Sequence, residues 1–235
     1  MVFWTLCEAD ARWPWWQGTA EPDFLAPEER GRLAGMRFPK RRREWLLGRR
    51  TAKSLLQHSA LGYAHLPQRA IVVGNDPGGA PYFAVNGEGR LEASLSISHR
   101  DSLAFCALSM DPGLSVGADV ECVEPRSPGL VRDFFTAHEA GSVDACPPAG
   151  RDRLITLIWS AKEAVLKALR LGLRADTRSV EIVAAGGLEA APPASPGWYP
   201  VRARSELAAS GDVAAWWRPH GGYVLTLAIV PRDEV

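Results

Sequence analysis

The chain has 235 residues, and its 27 Lys plus Arg balance 27 Asp plus Glu, so no whole-molecule field draws it onto nucleic acid or an anionic membrane. No apolar run is long enough to span a bilayer, and the N-terminus lacks a basic stretch followed by an apolar one. Cys7, Cys106, Cys122 and Cys146 form neither a CxxC pair nor a dense disulfide framework, so a soluble, cytoplasmic protein is expected, of one large domain or two small ones.

Taken along the chain, the first feature is a tryptophan cluster, Trp13, Trp15 and Trp16, which suits core and hairpin packing better than a ligand cage. A basic segment follows: Arg37, Lys40, Arg41, Arg42, Arg43, Arg49, Arg50 and Lys53, with Trp45, Leu46 and Leu47 among them. Such a run is ordinarily a solvated helix face; the alternative is a polyphosphate grip, for which the planar arginine fork is suited. Nucleic-acid binding is disfavoured by the zero net charge and the lack of a recognised motif. Ser98-His99-Arg100 places a hydroxyl, an imidazole and a guanidinium just before a strand. No Asp partner or nucleophile elbow accompanies them, and phosphate binding fits at least as well as nucleophilic catalysis.

The two halves echo each other at a separation of about 110 to 120 residues. Phe24 and Glu28 are spaced like Phe135 and Glu139, and each pair opens a segment that turns helical, Arg41 to Leu61 and Arg153 to Leu171, stopping at Gly62 and Gly172. A short β-branched run follows each helix, Ile71 to Val73 and Val180 to Val183, then a Gly/Pro-rich turn, Gly74 to Pro81 and Ala190 to Gly197. Each half closes on a strand after a histidine, His99 before Ala104 to Leu108 and His220 before Leu225 to Ile229. The expected architecture is α+β, two similar halves related by a pseudo-twofold and covering 1–112 and 113–235.

In the second half, Ser115 to Glu121 reads as a strand whose alternation puts Asp119 and Glu121 on one face. Two neighbouring carboxylates repel, and either a bound cation or a solvated strand edge accounts for them. On the helix, Leu154, Leu157, Ile158, Ala161, Val165, Ala168 and Leu169 form one buried stripe, while Ser160, Glu163 and Lys167 share another face. Glu163 is either a third oxygen ligand, leaving positions for water and phosphate as Mg²⁺ prefers, or an i,i+4 partner of Lys167.

In this order the pieces resemble the 4′-phosphopantetheinyl transferase superfamily, in its monomeric two-lobed type associated with surfactin synthetase. The likeness is carried by Gly117-Ala118-Asp119-Val120-Glu121, by FFTAHE (Phe134 to Glu139) and by WSAKEAVLKALRLGL (Trp159 to Leu173); SISHRDSLAFCAL and REWLLGRRTAKSLL support it. The resemblance implies holo-[acyl-carrier-protein] synthase activity: transfer of 4′-phosphopantetheine from coenzyme A to a serine of an apo acyl or peptidyl carrier protein, releasing 3′,5′-ADP, by a monomer. It also implies that Asp119, Glu121 and Glu163 hold Mg²⁺, with Lys162 and Lys167 near the pyrophosphate. Arg49, Arg43, Ser98, His99 and Arg100 would meet the nucleotide's phosphates, and Glu139 or Glu163 would take the serine proton. Coenzyme A would lie between the halves.

Two positions depart from the family pattern. Gly79-Ala80-Pro81 lacks the usual cation before proline, for which Arg100 or Arg41 to Arg43 could substitute, and Arg170 stands where a glycine is common. The first departure motivates an alternative, a weakly catalytic relative that only binds coenzyme A or a carrier; three retained carboxylates speak against it.

Overall fold

Proline opens five of the helices, at Pro14, Pro27, Pro39, Pro128 and Pro148, where the missing N–H costs nothing because the first turn has no carbonyl to offer it. The computed structural model describes residues 1–85, 88–185 and 197–232, and the turn expected over Ala190 to Gly197 lies outside them except for Gly197. The chain divides into two units, Met1–Pro112 and Gly113–Val235.

The first unit runs β1 (Val2–Glu8), α1 (Pro14–Gln17), α2 (Pro27–Ala34), α3 (Pro39–Leu56), β2 (Ile71–Asn75), β3 (Pro81–Val85), β4 (Gly89–Arg90), β5 (Ser94–Arg100) and β6 (Leu103–Ser109). Its strands form two antiparallel sheets, β1-β6-β5 and β2-β3-β4. The second unit runs β7 (Leu114–Cys122), α4 (Pro128–Phe134), α5 (Ala137–Ala145), α6 (Pro148–Ala168), β8 (Val180–Ala185), β9 (Tyr199–Ser205), β10 (Asp212–His220) and β11 (Tyr223–Pro231). Here the strands join in one antiparallel sheet, β7-β11-β10-β9-β8. The fold is α+β, and in both units a first strand pairs with the last, which turns back on its predecessor.

The units therefore echo each other in the order of their main elements, but one residue out of the register expected from sequence. Two-residue turns join the closing hairpins, Asp101-Ser102 after Arg100 and Gly221-Gly222 after His220, so the counterpart of His220 is Arg100 and not His99. Asp101 and Gly221 both take positive φ, 52° and 55°, as tight antiparallel hairpins require. The long helices are also shifted. α3 ends at Leu56 rather than Leu61, because the Gln57 N–H closes onto Lys53 and Leu55 and a 3₁₀ turn, Ser59–Leu61, takes over.

α6 buries Leu157, Ile158, Ala161, Val165, Ala168 and Leu169 as the stripe foresees, in one cluster with Val201, Trp217 and Val224 from the sheet. Its end explains the arginine in a glycine's place. Leu171 N–H bonds to Leu166 C=O at 3.0 Å and Arg170 N–H to Lys167 C=O at 3.0 Å, the paired bonds of a left-handed helix stop, and Arg170 has φ 58°. A side chain with a Cβ is strained there. Arg170→Gly should be more stable than Arg170→Ala by about 1 kcal/mol, since both remove the guanidinium and only glycine relaxes the backbone; equilibrium urea unfolding of the two variants measures this.

Candidate active site

β7 and α6 meet backbone to backbone. A Cβ built on Gly117 would stand 1.8 Å from the carbonyl oxygen of Ala164 and 2.6 Å from the nitrogen of Ala168, so only glycine fits. Asp119, two residues further along the strand, then faces α6 at Ser160, one turn before Ala164, and at Lys167, next to Ala168. It is 3 % exposed, not the solvated strand edge the alternation left open. Ser160 Oγ donates to its Oδ2 at 2.8 Å, and Lys167 Nζ to its Oδ1 at 2.6 Å. Ser160 Oγ also lies 2.8 Å from Thr226 Oγ1, on the strand position that pairs with Asp119.

Glu163 stands 3.9 Å from Lys167 Nζ. Burial raises its carboxyl pKa, Lys167 opposes the rise, and the charges of Asp119 and Glu121 add to it. Burial pushes Lys167 the other way, but Asp119, Glu163 and Glu121 outweigh it and hold the ammonium above the usual lysine value. Glu121 is engaged by Arg126, whose Nη2 lies 2.8 Å from its Oε2 and 3.1 Å from the Cys122 carbonyl oxygen. The structure thus gathers Asp119, Glu121, Glu163 and Lys167 into one electrostatic neighbourhood. Among the described residues no three His, Cys, Asp or Glu side chains are grouped as a metal-binding set.

Glu139 and Lys162 go elsewhere. Both are fully buried, and they pair with each other at 2.8 Å. The Lys162 ammonium also donates to the carbonyls of Thr177 (3.0 Å) and Val180, and Glu139 accepts from the N–H groups of Thr136 (2.8 Å) and Ile182 (2.7 Å). An ammonium has three protons to donate, and all three are taken. The side chains expected near the phosphates and at the serine proton are thus both 0 % exposed here and turned to each other.

In the first unit, Arg49 is 5 % exposed, stacks on Trp45 at 4.8 Å, and gives Nη2 to Asn75 Oδ1 at 2.8 Å. Its Nε has no acceptor among the described residues, and burial brings its pKa down to about 10. Arg32 donates to the same Asn75 oxygen at 2.9 Å. Two guanidinium groups thus converge on one neutral amide beside the Asn75 to Ala80 turn. Sequence reasoning assigned the missing cation there to Arg100 or the Arg41 to Arg43 cluster. Arg32 was not among them; its place four residues after Glu28 in an acidic and basic helix gives no signal of this contact with Asn75.

Arg43 lies over the Trp16 ring at 5.7 Å and lines a cavity of about 310 Å³ with Lys40 and Asp101. Ser98 is buried on β5, His99 is exposed, and Arg100 Nε lies 3.7 Å from Asp101. α3 crosses this strand closely, since a Cβ on Gly48 would be 3.1 Å from Ile97 and 3.4 Å from the His99 ring. Among the described residues no helix is long and apolar enough to cross a membrane.

With the geometry in place, the comparison with known families falls on the second unit. Residues 115–225, from β7 to β11, match the family model of the 4′-phosphopantetheinyl transferase superfamily. The second unit is therefore similar to that superfamily. The chain is 28 % identical over 162 residues to the 4′-phosphopantetheinyl transferase HetI of Nostoc sp. (strain PCC 7120 / SAG 25.82 / UTEX 2576), an alignment covering 67 % of this chain and 64 % of that relative's length.

If the backbone contact at Gly117 sets the site, Gly117→Ala should destabilise the protein by about 1–3 kcal/mol, because α6 must move away from β7 to admit the methyl group. Urea midpoints of wild type and variant decide it.

Proposed function

We propose that the protein transfers 4′-phosphopantetheine from coenzyme A to a serine of an apo acyl or peptidyl carrier protein, as a monomer of the two-lobed type. The observation that carries this reading is the cluster of Asp119, Glu163 and Lys167 on β7 and α6, within the stretch that matches the superfamily. In the reaction, the serine oxygen forms a bond to the β-phosphorus of coenzyme A, the bond to the α-phosphate oxygen breaks, and 3′,5′-ADP leaves. Such a transfer asks for alignment and charge neutralisation more than covalent help.

Lys167 is assigned to the transferring phosphoryl oxygens, where its elevated pKa keeps it cationic. Glu163 is assigned the serine proton, since both oxygens of the other acid, Glu139, are taken up in the interior. Asp119, Glu121 and Glu163 are carboxylates of the chemistry that magnesium takes, and the charges of the first two bear on Glu163, although among the described residues the three are not drawn together as a metal-binding set. Magnesium would supply Lewis-acid stabilisation of the pyrophosphate when bound there. At the nucleotide, Arg49 and Arg32 provide two forks for phosphate, with Arg43, Ser98, His99 and Arg100 as further contacts. Arg32 thereby supplies the cation that Ala80 lacks.

Incubation of the pure protein with coenzyme A, Mg²⁺ and a panel of apo carrier proteins, followed by intact mass measurement, tests the activity. A serine-linked gain of one phosphopantetheine is expected; coenzyme A binding with no gain on any carrier would leave a binding protein instead. Glu163→Gln keeps the shape but not the proton acceptor, and kcat should fall roughly a hundredfold or more with melting unchanged. Arg32→Ala, at an exposed side chain, should raise the KM for coenzyme A about tenfold with kcat little altered, since it removes a charge-assisted contact made equally in ground and transition states.

A further inference from the structure

The buried pair of Glu139 and Lys162 has a twin. In the first unit Lys53 of α3, fully buried, donates to Glu29 and to the Phe24 carbonyl (2.8 Å). One oxygen of Glu29 accepts from the N–H of Ala26, the residue capping α2, at 2.8 Å, and the other from the N–H of Val73 at 3.1 Å. Glu139 does the same with Thr136, the residue capping α5, and with Ile182. Val73 and Ile182 are each the third residue of the strand that follows the long helix, counted from Ile71 and Val180. The two struts thus occupy equivalent places in the repeat.

Stability alone is a weak reason for such a strut, because a buried ion pair can commonly be exchanged for apolar side chains of similar volume with no loss. Glu139 and Lys162 tie α6 at one point to the cap of α5, to Thr177 and to the start of β8. Lys162 precedes Glu163 directly, and adjacent helical residues are about 100° apart around the axis, so fixing the Lys162 ammonium fixes the direction in which Glu163 and Lys167 leave the helix. Gly117 sets how closely α6 approaches β7, and the strut sets how it is turned.

We propose that Glu139 and Lys162 are positioning residues, which hold α6 at the rotation that brings Lys167 onto Asp119 and Glu163 beside it. The test replaces the strut by an apolar pair, Glu139→Leu with Lys162→Met. A double-mutant cycle between Asp119→Asn and Lys167→Met, read by thermal melting, is then run with and without the strut. In the native background the two melting shifts should be strongly non-additive; without the strut they should become additive, although the parent double variant melts within a few degrees of wild type.

Unchanged coupling in the strut-free background would overturn the proposal. Should the apolar pair fail to fold, the cycle is run on Glu139→Gln, which keeps the volume, and is judged in the same way. This arm does not depend on the reaction. A second arm rests on the proposed transfer: the apolar pair should lower kcat about a hundredfold while the KM for coenzyme A stays within about twofold, the mark of misplaced reacting groups. Native kcat in the apolar pair would equally overturn the positioning role.

Discussion

The contact on which the second unit depends is made by a missing side chain. At Gly117 the strand β7 lies so close to α6 that the nearest neighbours of an added Cβ are main-chain atoms of Ala164 and Ala168. That approach brings a buried aspartate within hydrogen-bond reach of Ser160 and Lys167, and it makes the burial tolerable. A lone carboxylate removed from water is costly, while one accepting from a hydroxyl and an ammonium is compensated. The packing of small residues and the chemistry of the charged ones are therefore one design: Gly117, Ala164 and Ala168 close the gap, and Asp119, Glu163 and Lys167 occupy its rim.

The first unit uses the same scaffold without that chemistry. With the hairpins matched at Arg100 and His220, the position of Asp119, paired to Thr226, corresponds to Thr5, paired to Cys106. With the helices matched at Lys53 and Lys162, the position of Glu163 corresponds to Ser54. No carboxylate occupies either place in the first unit, which buries the guanidinium of Arg49 besides its Lys53–Glu29 pair. The two units share struts and hairpins and differ in the side chains set on them, acidic on one and arginine-bearing on the other.

How far this was legible in the sequence depended on the range of the interaction. The α6 stripe and the common face of Asp119 and Glu121 follow from periodicities of 3.6 and 2, which are local, and they hold. The echo between the units was legible in order but not in register, because Phe24 and Glu28 mimic the spacing of Phe135 and Glu139 whereas the cap and strand contacts are made by Glu29. A slip of one residue is invisible to spacing and decisive for a hydrogen bond. Arg32 and Arg49 meet only through Asn75, from three separate elements, and no pattern within one element announces that.

The hardest distinction lay between two lysines on one helix. Lys162 and Lys167 flank Glu163 in a single basic and acidic run, and composition gives no reason to treat them differently. Five residues apart, they leave the axis about 140° from each other, so they cannot serve the same neighbour. One direction meets carbonyls of Thr177 and Val180 and the capping carboxylate of α5, an interior that consumes all three ammonium protons. The other meets Asp119 on the strand held close by Gly117. The tertiary contacts, and not the motif, divide the pair into a lysine that holds the helix and a lysine placed beside the carboxylates.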